Sequence, residues 1–210
     1  WHWYDATDNA LNLEMCPTIA YSGEIDKQKQ AADIMELALR GEQVDLMHII
    51  GPQTAHKIHP DSLIEIEKRL ADICAIGRDR NPQDVHLSTW HLRYNRMHWV
   101  VVDALQQHWE RGRIHALVKS PTEVVVKLQN ISGFTFDMPA GHSKLWPLNK
   151  VNVTIDGQQL QVSRPKSDRS WRVHFRLKGN QWKQSLSPEI EDQGKLLKKH
   201  GLSGPIDDAF

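Results

Sequence analysis

Apolar positions first gather in the run Pro17-Thr18-Ile19-Ala20-Tyr21, a short bounded stretch that predicts a buried strand over residues 17–21, closed by Ser22-Gly23. Over 27–40 the pattern changes. Ala31, Ile34, Met35, Ala38 and Leu39 recur at the spacing of one helix face, with Gly41 as the expected stop. Residues 44–50 are almost continuously apolar after Asp45, as a strand covered on both faces would be. Pro60 suits the start of a second helix running from about 61. Leu63, Ile66, Leu70, Ile73 and Cys74 form its expected buried stripe, and Gly77 ends it. Strand, helix, strand, helix in that order calls for a parallel sheet with crossover helices.

Beyond Asn81-Pro82 the helical period disappears and short alternating runs take over. Strands are predicted over 85–89, after the turn at 93–96, and over 114–119, 123–129 and 132–139. Val151, Val153 and Ile155 alternate with polar residues up to Asp156-Gly157, a hairpin signal answered by 159–162. Residues 171–177 alternate cleanly, and Gly179-Asn180 turns the chain toward Trp182. Residues 105–109 look like a short helical turn. Frequent turns between some seven short strands describe an antiparallel sandwich-like domain. A helix from Pro188 to about His200, acidic first and basic last, is followed by Gly201, Gly204 and Pro205. The expected fold class is α/β followed by all-β, divided as 1–81, 82–188 and a helical tail at 189–210.

Composition narrows the functional classes. The 26 basic and 26 acidic side chains balance and intermingle, which argues against a nucleic-acid groove. No apolar run reaches transmembrane length, so no membrane span is expected. Any targeting segment would lie upstream, and the compartment stays open. Cys16 and Cys74 are too few for a disulfide framework and sit in apolar contexts that predict buried thiols. The 12 histidines are dispersed without metal-ligand spacing, and no cofactor motif is present, so neither metal nor cofactor is expected.

The chemistry lies where polar residues meet strand ends. Asp26 follows the first strand and His56 the second, both at the edge where open α/β sheets place catalytic groups. A near-neutral imidazole beside a carboxylate can take a proton from a hydroxyl nucleophile. Glu24 competes as the acid, while His48 and His59 compete as the base; His48 falls inside a strand, which favours a packing role. No Gly-x-Ser-x-Gly elbow occurs anywhere, and Ser203 follows the other two residues instead of preceding them. Asp207 and Asp208, near the chain end, look like linker residues. Six tryptophans, Trp90, Trp99, Trp109, Trp146, Trp171 and Trp182, raise a carbohydrate-binding alternative against core packing. His91, Arg93 and Arg96 form a local cationic cluster best accounted for by ion pairing.

The segments Tyr21-Ser22-Gly23-Glu24-Ile25-Asp26-Lys27-Gln28 and Gly51-Pro52-Gln53-Thr54-Ala55-His56 resemble the acid and histidine loops of the prolyl oligopeptidase-like serine hydrolases, within the α/β-hydrolase superfamily. The tail from Gly201 to Phe210 is similar to a segment carried by large multidomain bacterial members. The resemblance implies Asp26 as triad acid, His56 as triad base, and a peptide or ester substrate for a parent enzyme. It also implies that this chain is the C-terminal part of that enzyme, lacking the nucleophile and oxyanion loop. The expected partner is then the missing N-terminal half, or a second copy joined through the exposed sheet edge. The alternative is a noncatalytic carbohydrate-binding or structural interaction module.

Overall fold

A computed structural model describes residues 2, 5–146, 149–188 and 198–201. The chain divides into two units, Trp1–Asp79 and Arg80–Phe210. An N-terminal mixed α/β region is followed by a β-rich region. Of the tail helix expected from Pro188 to about His200, residues 189–197 lie outside the described residues, as do Ser203, Asp207 and Asp208.

In the first unit, 3-10 turns over Thr7–Met15 precede β1 (Ile19–Gly23), α1 (Lys29–Gly41), β2 (Met47–Gly51) and α2 (Pro60–Ile76). β1 and β2 pair in parallel, from Ile19 opposite Met47 to Gly23 opposite Gly51, with α1 as the crossover. Pro60 opens α2, where its missing N–H costs nothing, and His59 Nδ1 caps the helix by accepting from Asp61 N. Gly77 closes it at φ 72°.

The end of α1 departs from expectation. Gly41 belongs to the last helical turn, and Gln43 takes the left-handed conformation at φ 64°. Val44 N donates to Leu39 O and Gln43 N to Arg40 O, the paired bonds of a Schellman stop. The geometry thus requires the left-handed residue two places beyond the glycine.

Burial in this unit is also lower than the apolar pattern implied. Leu63 and Leu70 of the expected α2 stripe are exposed, as are Met47 and Ile50 on β2 and both cysteines. Two strands offer too little sheet to cover both helices and the apolar strand residues. Of the fourteen large apolar side chains exposed among the described residues, ten fall between Ile25 and Ile76, which locates the uncovered surface in this unit.

The second unit holds two five-stranded sheets. One runs β10 (Gln158–Ser163), β9 (Lys150–Ile155), β7 (Glu123–Gln129), β6 (Gly112–Ser120), β3 (Asp84–Thr89). The other runs β12 (Gln181–Ser185), β11 (Trp171–Lys178), β8 (Ile131–Met138), β5 (Val100–Leu105), β4 (Arg96–Met97). Pairing is antiparallel except between β7 and β9, which lie parallel, so the first sheet is mixed where an antiparallel one was expected. Each sheet has one buried face. Val85, Ile114, Val124, Val126, Val153 and Ile155 supply the first; Val102, Phe134, Phe136 and Phe175 supply the second. The Phe134 and Phe175 rings stack at 4.8 Å, and Trp182 meets Phe134 edge-on at 5.4 Å. Asp156 and Gly157 both adopt positive φ, 46° and 88°, and close the β9–β10 hairpin with the two-residue turn that their pairing predicts. Residues 106–110 form bends and a turn, without helix, and Asn130 Nδ2 ties them down by donating to Gln107 O and Glu110 O.

One polar group in this unit works against the fold. A β-bulge between Val102 and Ala104 re-aims Asp103, whose Oδ2 accepts from Thr135 Oγ1 at 2.5 Å. Thr135 in turn lies 2.6 Å from His174 Nδ1. Burial raises the Asp103 carboxyl to about 6, against the opposing effects of the Thr135 hydroxyl and the Arg176 charge. Such a group binds more protons folded than unfolded between pH ~4 and ~6, so its contribution to stability falls as pH rises through that window. Asp103→Asn is therefore expected to exceed the native chain in stability at pH 7 by up to about 3 kcal/mol, the advantage vanishing near pH 4. Urea melts of both proteins at the two pH values read this difference; a gap that does not change with pH would contradict it.

Candidate functional site

The acid loop begins where β1 stops. Glu24 N donates to Gly51 O at 2.8 Å, and Asp26 N turns back to Gly23 O at 3.2 Å. Asp26 then stands before α1, its Oδ1 accepting from Gln28 N at 2.9 Å. That backbone N–H, followed by the His56 imidazole, holds the Asp26 carboxyl below the ordinary aspartate range. Asp26 is therefore an acceptor-only carboxylate at neutral pH.

The histidine loop leaves β2 at Gly51 and is gripped on both sides of His56. On the near side, Ile25 N donates to Thr54 O at 3.1 Å, and buried Thr54 bonds Pro52 O through its hydroxyl. On the far side, the Tyr21 phenol donates to Lys57 O at 3.0 Å and accepts from His59 N at 2.9 Å. Gly23 makes the approach of the two loops possible: a Cβ there would lie 2.2 Å from Thr54 O and 2.3 Å from Ala55 O. His56 Nδ1 consequently meets Asp26 Oδ2 at 2.9 Å. The Asp26 side chain is 14% exposed and the His56 ring 77%. Because the carboxylate can only accept, Nδ1 carries the proton of that bond, and Nε2 is left without a hydrogen-bonding partner among the described residues. Asp26 is the one hydrogen-bonding partner of the His56 ring among the described residues, and no serine stands within reach of it there.

The competing candidates have other work. Glu24 Oε2 accepts from Gln53 N at 2.7 Å and holds the histidine loop. His59 caps α2. His48, with its ring 6% exposed, links Ser22 Oγ at 3.0 Å to Glu36 Oε2 at 3.1 Å. Serine, histidine and carboxylate in series resemble a catalytic relay, yet Ser22 is buried within β1 and Glu36 also pairs with Arg40. A nucleophile must meet its substrate; this array instead ties α1 to the sheet. Nothing along the chain marked Glu36 or the role of Tyr21, since both depend on which faces the parallel register aligns.

In the second unit, Trp99, Trp171 and Trp182 are buried, and the first two donate their indole N–H to Pro82 O and Ser163 O. These three cannot stack on a sugar. Trp146 is exposed, with the Arg169 guanidinium 4.0 Å from its ring centre, and Trp109 is exposed as well. In the cationic cluster His91 is buried, while Arg96 pairs with Asp137 at 2.9 Å, alongside Arg172. Among the described residues, no helix is long and apolar enough to cross a membrane.

No family model matches the chain, and neither a curated protein nor a solved structure matches it significantly.

If the Ser22–His48–Glu36 array is structural, His48→Ala strips the buried Ser22 hydroxyl of its imidazole partner and leaves Glu36 with Arg40 alone. A loss of about 2 kcal/mol in unfolding free energy is expected, measured by urea denaturation. A loss below about 0.5 kcal/mol, the range of neutral surface changes, would contradict this role.

Proposed function

We propose that this chain supplies the acid and the base of a serine hydrolase acting on ester or peptide bonds, with the nucleophile contributed by a segment outside these 210 residues. The observation that carries the proposal is the 2.9 Å bond between Asp26 Oδ2 and His56 Nδ1 at the C-terminal edge of two parallel strands. That edge is where doubly wound sheets assemble their sites. The exposed Nε2 then removes the proton from a serine hydroxyl as its oxygen attacks the substrate carbonyl. Asp26 stabilises the resulting imidazolium, which returns the proton to the leaving alcohol or amine. Water repeats the cycle to release the acyl group.

Two further features support the same reading. Among the described residues each strand of the two-stranded sheet has one side without a sheet neighbour, and the exposed apolar residues concentrate in this unit. Both are what the last portion of a larger prolyl oligopeptidase-like sheet would leave once separated from its earlier strands. On this proposal the β-rich unit is an appended sandwich-like domain, and the natural partner of the first unit is the nucleophile-bearing half.

The test is fluorophosphonate labelling of the 210-residue chain and of the same chain extended through its upstream coding region, read by intact mass. Label is expected on the extended protein alone, at an upstream serine, and abolished by His56→Ala. Asp26→Asn should slow the reaction by about 10⁴-fold through loss of the correct tautomer. Labelling of a serine within the short chain, labelling that survives His56→Ala, or no label on either protein would each overturn the proposal.

A further inference from the structure

Histidines that show no ligand spacing along the chain acquire it across a pair of strands. In β3 and β6, His86 stands directly opposite His115. Asp84 precedes His86 by two residues and so lies on the same face. That face is opposite the one carrying Val85, Leu87, Ile114 and Ala116 into the core. The two imidazoles stack at 4.0 Å with 28° between their planes. Their Nε2 atoms converge on one carboxylate oxygen: His115 Nε2 is 2.6 Å from Asp84 Oδ1, and His86 Nε2 is 3.3 Å from it. The three donor atoms all lie within 4.8 Å of one another.

Two imidazole nitrogens and a carboxylate oxygen, brought together from two neighbouring strands, are the donor set that a borderline metal ion binds. Donors bound at ~2.0–2.2 Å with tetrahedral or octahedral angles are about 3.0–3.5 Å apart; the His86–Asp84 pair at 3.3 Å already has that spacing, and the His115–Asp84 pair at 2.6 Å opens to reach it. Two nitrogens and one oxygen suit borderline ions such as Zn²⁺ better than Ca²⁺ or Mg²⁺, which take oxygen ligands. The exposed face leaves the remaining positions to water. Lys127 lies opposite His115, and Arg113 precedes His115 by two, so two cationic side chains share this face and lower the affinity.

We propose that Asp84, His86 and His115 bind a borderline divalent transition-metal ion, Zn²⁺ in the first instance, which staples the edge strand β3 to β6. The ligands come from both strands of the pair, and among the described residues β3 has no sheet neighbour on its other side. The bound ion therefore crosslinks an edge strand of its sheet to the strand beside it.

The test is calorimetric titration of the chelator-treated full chain with Zn²⁺, supported by the absorption spectrum of the Co²⁺ form. One tight site per chain is expected. His115→Ala should weaken it by more than the ~10–100-fold typical of losing an outer partner, and Asp84→Asn should weaken it too. Circular dichroism of both variants establishes that they fold, and His86→Ala serves in place of either that does not. Asp33→Asn, which alters the other group of nearby carboxylates and histidine at Asp33, Glu36 and His48, should leave binding unchanged. Zn²⁺ affinity and stoichiometry shared by His115→Ala, Asp84→Asn and the native chain would overturn the proposal. So would the absence of binding tighter than millimolar, or loss of binding in Asp33→Asn.

Discussion

Everything proposed for the first unit depends on how closely two loops approach at the end of a two-stranded parallel sheet. The acid loop passes under the carbonyls of Thr54 and Ala55 with no room for a Cβ at Gly23. The Ile25 N–H reaches Thr54 O across that gap, and the Glu24 N–H reaches Gly51 O. Three backbone facts thus fix the Asp26–His56 distance before either side chain contributes. A side chain at residue 23 would have to push one loop away and stretch a 2.9 Å hydrogen bond. The Tyr21 phenol closes the arrangement from the other side. It bonds the chain at residues 57 and 59, so that His56 is the exposed crest of an anchored loop.

Electrostatics follow from that geometry. Asp26 is charged because a backbone N–H and an imidazole N–H both point at it, and its charge in turn decides which nitrogen of His56 is free. The opposite logic operates at Asp103, where burial dominates and the carboxyl is raised to about 6. One aspartate is held ready as an anion by its loop, and the other is disfavoured as an anion by its sheet. The polar link through His48 belongs to neither case: it spends a serine, a histidine and a glutamate on anchoring a helix.

Local rules made much of the architecture legible. Pro60 and Gly77 bound α2 because a missing N–H and a positive φ have few other places to go. Asp156-Gly157 announced its hairpin for the same reason. The positions of Asp26 and His56 at successive strand ends could be read as well. What the order of residues could not carry was anything set by register or by the extent of a layer. Cys74 and Leu70 lie on an apolar helical stripe, yet both are exposed because the sheet beneath has only two strands. The parallel pairing of β7 with β9 leaves no mark in either strand's alternation. His86 and His115 become neighbours only through antiparallel pairing. Gln43 stands at a left-handed position that composition would have assigned to Gly41.

The bond from His56 Nδ1 to Asp26 is open to ¹⁵N NMR of the His56 ring. At neutral pH the native chain is expected to show the Nδ1–H tautomer, and Asp26→Asn to lose that preference. A native ring protonated on Nε2, or a tautomer ratio indifferent to Asp26→Asn, would contradict it.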